Sequence, residues 1–383
     1  MNENRILITG ATGLLGGAIL ADALRNRPET AWTALVRAGD EAPARARLAA
    51  RLARYTDVAT GTALAERVDI ITGDLFSIAN VPAERLALHT QVLHLAADTS
   101  YWSKAANWRV NFDGTMAVAE AASRHMPALK RFLHIGTATI CGRGAPKLVQ
   151  EDAYPSANAD HIVHYTLAKA STETALAERF PDLPLVITRP SIVAGHSVLG
   201  CAPTASILWF VRAAEALRLV SCDPEGGIDI IPFDWAASAL LTLLLKPELS
   251  HRVYHVSAGA GSRAYWPALA RAFAAARGET EARYPDRFSP QEIAIVRQRF
   301  REVFGGGDAR LALMQKAARK YYEFCALDAT FNNTRLLAEG VPPSPPLPSY
   351  ITACLAQPAG QSILDAFLDD VDMFDPTAVP AAA

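Results

Sequence analysis

The chain has 383 residues, 50% of them apolar, which suffices to bury a sizeable core in one large or two ordinary domains. Its 37 lysine and arginine residues nearly balance 39 aspartate and glutamate residues, so the overall charge indicates neither a nucleic-acid partner nor an anionic membrane surface. Five cysteines are scattered and never form a CxxC pair, which argues against a disulfide framework or a zinc site. They are Cys141, Cys201, Cys222, Cys325 and Cys354.

The sequence shows neither a secretory leader pattern nor an apolar run of 18 residues. Together with the cysteine pattern, this predicts a protein of the reducing cytoplasm with no transmembrane segment.

Short apolar runs alternate with helical patterns through the first half of the chain. This rhythm predicts an α/β fold in which a parallel sheet has helices on both faces. The six runs of strand length are RILIT (5–9), AWTALV (31–36), VDIITG (68–73), QVLHLAA (91–97), RFLHIGT (131–137) and PLVITRP (184–190).

The regular alternation ends after Pro190, and the remaining chain reads as mostly helical. Residues 205–220 and 235–245 have helical patterns, and RVYHVSAG (252–259) looks like one more strand. Residues 289–327 read as a helical pair in which Ser289 is the N-cap, Pro290 lies in the first turn and Glu292 completes a capping box. Residues 341–350 are expected to be extended, because five of them are prolines.

These patterns predict a domain organisation with two main parts. Residues 1–190 would form a nucleotide-binding domain, to which segments near 229–259 return. Residues 191–374 would mainly form a smaller substrate-binding domain, and residues 375–383 a disordered tail.

A glycine-rich loop follows the first strand run and opens a helix. In LITGATGLLGGAIL (7–20), Gly10, Gly13 and Gly16 are spaced three residues apart. Such glycines allow a tight turn and let the backbone approach a pyrophosphate at the positive end of a helix. The loop therefore predicts a dinucleotide site, although glycine-rich turns of this kind also serve packing alone.

The second strand run ends at Arg37, 21 residues beyond Gly16. An NAD-binding protein typically has Asp or Glu there for the ribose hydroxyls, whereas an arginine accepts a 2′-phosphate. The sequence thus favours NADPH as the cofactor. The alternative is an ordinary surface arginine at a strand end.

The stretch VHYTLAKAS (163–171) places Tyr165 and Lys169 four residues apart, on one face of a predicted helix. A free phenol has a pKa of about 10, and a nearby ammonium lowers it. Spacing alone does not distinguish a proton-transfer pair from two surface residues, but a preceding glycine loop and Thr137 at a strand end favour the former.

Seven motifs in order resemble the extended short-chain dehydrogenase/reductases. They are TGATGLLGG (9–17), GDL (73–75), HLAAD (94–98), NFDGT (111–115), GTATICG (136–142), YTLAK (165–169) and TRPSIVAG (188–195). The stretches at 35–55, 92–101 and 229–244 are most similar to the thioester reductase-like branch. That branch includes fatty acyl-CoA reductases and the terminal reductase domains of carboxylic acid reductases and peptide synthetases.

The resemblance, which covers roughly residues 5–260, implies a Rossmann-type doubly wound parallel sheet with NADPH bound at its edge. The glycines would hold the pyrophosphate, Arg37 the 2′-phosphate, and Asp74 and Leu75 would flank the adenine. The implied cofactor-binding set is Gly10, Thr12, Gly13, Leu14, Leu15, Gly16, Arg37, Asp74, Leu75, Ala96, Ala97, Tyr165, Lys169, Pro190 and Ile192.

The resemblance also implies a catalytic set of Thr137, Tyr165, Lys169 and Asn111. The counterpart of Asn111 lies near the active site, but bonding to the backbone is an equally good account of it. Two positions depart from the family. Gly136 stands where a serine is common, and Cys141 stands where many sugar-nucleotide epimerases have tyrosine.

The function that follows is reduction of an acyl thioester, carried on coenzyme A or a carrier protein, to an aldehyde and further to an alcohol. One alternative is a ketone or aldehyde reductase, or an alcohol dehydrogenase, with the same site. Another is a nucleotide-sensing protein without catalysis, against which the intact catalytic residues argue. Helix 308–324 would dock an acidic carrier protein or a membrane surface, unless it is an ordinary core helix with a solvated back.

No metal site is expected, because no HxxxH motif or carboxylate cluster occurs. His94 and His134 lie in apolar strand runs and are interpreted as core histidines with satisfied hydrogen bonds.

Overall fold

The computed structural model describes residues 4–100, 103–156, 158–204, 206–289 and 292–374. Within these ranges, one parallel sheet has seven strands, in the spatial order β3-β2-β1-β4-β5-β6-β7. The strands are β1 (Arg5–Thr9), β2 (Ala31–Val36), β3 (Val68–Thr72), β4 (Gln91–His94), β5 (Arg131–Ile135), β6 (Leu185–Pro190) and β7 (Val253–Val256).

Twelve helices of eight or more residues occur in the described part of the chain. They are α1 (Leu14–Asn26), α2 (Glu41–Ala53), α3 (Val58–Ala65), α4 (Gly114–His125), α5 (His164–Arg179), α6 (Leu208–Leu217), α7 (Phe233–Leu245), α8 (Trp266–Ala276), α9 (Ile293–Phe304), α10 (Ala309–Cys325), α11 (Leu347–Ala356) and α12 (Ile363–Phe374). Shorter helical turns include Lys104–Asn107 and a π-helical turn at Trp108–Asp113.

The sheet is buried on both faces, because its strands carry apolar side chains on both sides. Ile6 and Ile8 pack on one face, in a cluster with residues of α1, α2, α3 and α7. Leu7 packs on the other face, with residues of α4 and α5. The predicted Rossmann-like fold with helices on both sides of a parallel sheet is confirmed.

The order of the strands reverses direction between β1 and β4, since β2 and β3 lie on one side of β1 while β4 to β7 follow on the other. In open parallel sheets, ligands bind beyond the carboxyl ends of the strands at such a switch point. The fold therefore places a cleft beside the residues that follow β1 and β4.

A second apolar cluster is built by the chain after β6. It joins α6, α8, α9, α10, α11 and α12, and its largest aromatic members include Trp209 and Phe210. The chain returns to the sheet at β7, which pairs with β6, while α7 packs against α1.

The structure departs from two sequence predictions in this part of the chain. Residues 341–346 lack regular structure, but 347–350 form the first turn of α11, so the prediction of one extended segment was wrong there. Pro348 is compatible with a helix because the first turn needs no N–H donor. The run 205–220 is helical only over α6, and its end, Leu219–Val220, is a short strand.

The predicted N-cap at Ser289 was wrong, since Glu292 is the N-cap of α9, but one hydrogen bond of the predicted capping box is present. The N–H of Ser289 donates to Oε2 of Glu292 at 2.7 Å, and α9 begins at Ile293. Pro290, Ala205 and the predicted tail at 375–383 lie outside the described residues. Across the described ranges, no helix combines the length and apolar character that crossing a bilayer requires.

Candidate active site

A cavity of about 320 Å³ opens at the switch point of the sheet. Residues that follow β1, β4, β5 and β6 line it, together with the first turns of α1 and α5. Of the sequence-predicted site residues, it brings together Gly10, Gly13, Leu14, Leu15, Gly16, Ala97, Thr137, Tyr165, Lys169, Pro190 and Ile192. The remaining six, which are Thr12, Arg37, Asp74, Leu75, Ala96 and Asn111, lie outside its lining.

The glycine loop is shaped for close approach of the backbone. Gly10 has a φ of +76°, and a Cβ added to it would lie 2.7 Å from the nitrogen of Ala96. A Cβ on Gly16 would lie 2.2 Å from the carbonyl oxygen of Gly10. Helix α1 begins at Leu14 without a side-chain cap, so its first N–H groups face the cavity end of the loop. These features fit the pyrophosphate of a dinucleotide.

Arg37 lies at the end of β2, with its side chain exposed. The guanidinium of Arg47 in α2 donates to the carbonyl oxygen of Arg37, and Nε of Arg51 donates to the carbonyl oxygen of Thr12 at 2.9 Å. Burial lowers the pKa of Arg51. Arg47 and Arg51 were missed at the sequence level, although their spacing of four residues places both on one helix face.

Asp74 and Leu75 follow β3 and hold the turn there. Oδ1 of Asp74 accepts hydrogen bonds from the N–H groups of Phe76 (3.0 Å) and Ser77 (2.9 Å). Leu75 is buried against Gly114, where a Cβ would lie 2.6 Å from its Cδ1. These contacts stabilise the loop, and contact of either residue with adenine stays a prediction.

Two hydroxyls follow β5 at the cavity. Oγ1 of Thr137 lies 2.9 Å from Oγ1 of Thr139, and both residues line the cavity. Sequence reasoning singled out Thr137 and missed Thr139, although the alternating GTATICG motif contains both. One hydroxyl donates a hydrogen bond to the other, so Thr139 orients the Thr137 hydroxyl.

Tyr165 and Lys169 reach the same cavity from the first two turns of α5. Nζ of Lys169 donates to the carbonyl oxygen of Ile135 at 2.7 Å, which fixes the ammonium at the end of β5. Burial lowers the pKa of Lys169 to about 8, and the negative charge of Glu173 opposes this decrease. Burial raises the pKa of Tyr165, and the negative charge of Asp98 raises it further. The phenol is therefore protonated at neutral pH, and the expectation that the Lys169 ammonium lowers its pKa was wrong, because burial outweighs that attraction.

Asn111 has its side chain committed to the backbone. Its Oδ1 accepts from the N–H of Asp98 and its Nδ2 donates to the carbonyl oxygen of the same residue, both at 2.8 Å. The side chain is fully buried in the π-helical turn. Of the two interpretations left open by the sequence, these contacts match backbone bonding, and a catalytic role for Asn111 stays a prediction without support from its contacts.

The structure gives a reason for Gly136, which stands where a serine is common in the family. A Cβ on Gly136 would lie 2.4 Å from Oε1 of Glu173, so a serine has no room there. Glu173 is held by a buried ion pair with Arg189, whose Nη2 lies 2.7 Å from Oε2. Arg189 also donates to the carbonyl oxygens of Glu151 and Tyr154, so this network links β6 to the loop before α5.

The part of the cavity that adjoins the second apolar cluster is mostly apolar. Ile207 lines it, and α10 contributes Tyr321 and Phe324. Two polar residues, Ser206 and Asp370, also belong to this lining. We call this region the distal end of the cavity.

The two strand histidines differ from each other. His94 is satisfied, because its ring nitrogens lie 2.8 Å from the Thr9 hydroxyl and 2.9 Å from the Thr115 hydroxyl. His134 stacks on His94, but neither of its ring nitrogens has a partner within the described residues. The prediction of satisfied bonds was therefore wrong for His134. Among the described residues, no group of three His, Cys, Asp or Glu side chains has metal-binding geometry.

A second cavity, of about 250 Å³, lies between α9 and α10. Its apolar side is formed by Phe288, Val296 and Tyr322, and its rim carries Arg297 and Arg319, together with Lys316. The exposed guanidinium groups of Arg297 and Arg319 have no carboxylate partner within the described ranges. We call this feature the basic pocket.

A family model described as male sterility protein, NAD_binding_4, matches residues 8–240, which is more than half of the chain. FrzA, a non-canonical nonribosomal peptide synthetase of Cladobotryum sp., is 27% identical over 268 residues, which cover 66% of this chain and 26% of the relative. A putative fatty acyl-CoA reductase of Drosophila melanogaster is 24% identical over 300 residues, covering 65% and 54% of the two chains. The chain spans about a quarter of the length of the first curated relatives it matches.

Solved structures share the fold. The terminal R domain from the myxalamid PKS-NRPS biosynthetic pathway has a TM-score of 0.73 at 21% identity, with 92% of this chain and 90% of that chain covered. A UDP-glucuronic acid 4-epimerase from Bacillus cereus, in complex with NAD, has a TM-score of 0.60 at 17% identity, with 99% of each chain covered. At these identities the likeness shows the fold alone.

Proposed function

We propose, since the chain belongs to the male sterility protein family of NAD-binding domains, within the thioester reductase-like branch of extended short-chain dehydrogenase/reductases, that it reduces acyl thioesters with NADPH. One observation carries the proposal. A single cavity joins an uncapped glycine loop, the hydroxyl of Thr137, the Tyr165–Lys169 pair and an apolar distal end. A dinucleotide, a proton donor and an acyl chain would therefore meet in one place.

The cofactor would lie across the carboxyl ends of the strands. The glycine loop and the first turn of α1 would hold the pyrophosphate. Arg37 is exposed and close to the Arg47 side chain, so a 2′-phosphate at the end of β2 would meet positive charge. This supports NADPH over NADH. Thr12, Asp74, Leu75 and Ala96 would shape the loops beneath it.

When bound, the reduced nicotinamide supplies the hydride that reaches the thioester carbonyl carbon. The carbonyl oxygen then carries negative charge, to which Thr137 and Tyr165 donate hydrogen bonds. Tyr165, which is protonated at neutral pH, gives the oxygen its proton, because the alkoxide left by hydride addition is a strong base. Lys169, fixed by the carbonyl oxygen of Ile135, presents a positive charge to the same region. Asn111 would be a positioning residue that holds the loop at Asp98.

The tetrahedral product of this first step is a hemithioacetal. Its collapse breaks the C–S bond, with the proton on oxygen returning to Tyr165 and the thiolate leaving as free thiol after protonation. The products are an aldehyde and the thiol of the carrier. No nucleophilic side chain is required, and a second round on the aldehyde would give an alcohol.

The acyl group would arrive activated, on coenzyme A or a carrier protein. Several relatives are nonribosomal peptide synthetases, and one solved structure of similar fold is a thiolation-reductase di-domain with a TM-score of 0.62. The basic pocket on α10 supports docking of an acidic carrier, because its two arginines lack carboxylate partners in the described part of the chain. Direct reduction of aldehydes is the second candidate, since some relatives are named aldehyde reductases.

The test is to follow thiol release and NADPH absorbance together, with acyl-pantetheine, acyl-CoA and carrier-bound substrates. The proposal expects one thiol for each NADPH in the first reduction, and no thiol from Tyr165→Phe protein. Oxidation of NADPH by aldehydes or ketones, without thiol from any thioester, would replace the proposal with simple carbonyl reduction. No turnover of any carbonyl compound would favour a nucleotide-sensing protein.

A further inference from the structure

Asp370 brings a carboxyl group into the otherwise apolar distal end of the cavity. It lies on α12, beyond the residues matched by the family model, and only 6% of it is exposed. Its position in the lining means that a bound acyl chain would meet it. A buried charge of this kind is costly unless another group compensates it.

The carboxyl has little compensation from the protein. Nε1 of Trp209 donates to its Oδ2 at 3.1 Å, and within the described residues this is its only hydrogen bond. No lysine, arginine or histidine forms an ion pair with it in the same ranges. A carboxylate offers about four lone-pair sites, so most of its capacity is unused.

The carboxyl is nevertheless held firmly. The indole of Trp209 is fully buried and packs edge-on against Tyr321 and Phe367, with ring centroids 5.4 Å and 4.8 Å apart. Burial raises the pKa of Asp370 to about 6, and the Trp209 hydrogen bond opposes this rise, so the group is mostly ionised at neutral pH. A fixed, ionised carboxyl among apolar neighbours fits the usual pattern of a specificity determinant.

We propose that Asp370 selects acyl groups that carry a hydrogen-bond donor remote from the thioester, and above all an ammonium group. This inference rests on the proposed function and names its substrate class. An ammonium would supply the missing counter-charge, a hydroxyl would supply a neutral hydrogen bond, and a plain alkyl chain would leave the carboxylate uncompensated. Straight-chain fatty acyl groups are then poor substrates.

The test compares pantetheine thioesters of unsubstituted, ω-hydroxy and ω-amino acyl groups of four to ten carbons. A charge-assisted hydrogen bond corresponds to roughly 10- to 100-fold in kcat/KM, so the amino series should exceed the plain series by that factor at one optimal length. Asp370→Leu should reverse the order, and Asp370→Asn should retain the preference for hydroxyl while losing that for ammonium. If Asp370 had a purely structural role, both substitutions would lower kcat/KM equally for all substrates.

Binding provides a readout independent of turnover. Pantetheine analogues with an amide in place of the thioester would be titrated calorimetrically into the 383-residue chain, as wild type and as each variant. Asp369→Asn, a change at the exposed neighbouring carboxyl, is the matched control and should leave both affinities unchanged.

The outcomes separate the two proposals. Equal affinity for the plain and amino analogues, or no binding of the amino analogue, would overturn the role of Asp370. Tighter binding of the amino analogue without thiol release from any thioester would sustain the role of Asp370 and overturn thioester reduction.

Discussion

Lys169 is hydrogen-bonded to the end of the strand that precedes Thr137, because its Nζ donates to the carbonyl oxygen of Ile135 at 2.7 Å. The side chain is 2% exposed, and burial lowers the pKa of its ammonium from 10.5 to about 8. The unfolded chain therefore binds a proton that the folded chain has lost between these two pH values, and stability rises with pH in that window.

Replacing Lys169 by methionine tests this directly. The stability of the wild type relative to Lys169→Met should increase by about 3 kcal/mol as the pH rises from below 8 to above 10.5, since each pKa unit corresponds to 1.36 kcal/mol. Denaturant unfolding of both proteins across this range measures the difference. If the difference in unfolding free energy did not change with pH, burial would not lower the pKa of the Lys169 ammonium.

Tyr165→Phe should reduce turnover by roughly 100- to 10,000-fold, the usual range for a lost acid–base group. It removes one hydroxyl and little packing, so NADPH affinity should be retained. Lys169→Ala should reduce both turnover and NADPH affinity. Tyr265→Phe, at an exposed tyrosine, serves as the control. Near-normal turnover in Tyr165→Phe would remove Tyr165 from the mechanism.

Arg37→Ala should weaken NADPH binding by roughly 10- to 100-fold and NADH binding little, since a charged hydrogen bond contributes about 1.5–3 kcal/mol. Fluorescence titration with each cofactor gives the two affinities. Arg271→Ala, on an exposed face of α8, is the control. Equal losses for both cofactors would mean that Arg37 attracts either cofactor by its charge alone. Arg47 or another residue would then bind the 2′-phosphate.

Gly16→Ala should destabilise the fold and abolish cofactor binding, because the new methyl would lie 2.2 Å from a backbone oxygen that has no room to move. A cost of about 1–3 kcal/mol is expected for such overpacking. Gly261→Ala is the matched control, since nothing lies within 4 Å of a Cβ there. Thermal unfolding with and without NADPH measures both effects.

Charge reversal at the basic pocket tests whether an acidic carrier protein docks there. Arg297→Glu with Arg319→Glu should raise KM for a carrier-bound acyl group roughly 10-fold, while a pantetheine thioester should be reduced as before. Arg271→Glu, which changes the net charge by half as much, controls for the reversal of an exposed charge elsewhere on the surface. An equal effect on both substrates would indicate damage to α10, and no effect on either would exclude docking at this face.

The sheet was predictable from the sequence, because strands buried on both faces must be apolar throughout and so are visible as runs. The glycine loop, Thr137 and the Tyr165–Lys169 pair were predictable because each is local in sequence. The geometry of the loops was not. Asn111 could be placed near the site, but only the structure shows its amide bound to the backbone of Asp98.

Long-range contacts set the other limit. Gly136 was visible as a departure from the family, but its reason is Glu173 on the next helix. Asp370 has no local signal at all, since α12 reads as an amphipathic helix with several acidic residues. It becomes informative only when α12 packs on α6 and places one of those residues in the cavity.

The return of the chain to the sheet at β7 limits how this protein can be divided. β7 supplies the hydrogen-bonding partner of β6, and more than sixty residues, including much of the second apolar cluster, lie between them in the chain. A fragment ending near residue 240, where the family match stops, would leave the backbone groups of β6 without that strand. Such an open edge pairs readily with the same edge of another molecule. Separate expression of the nucleotide-binding half should therefore yield aggregates, whereas a circular permutant that keeps β6 beside β7 should remain monodisperse.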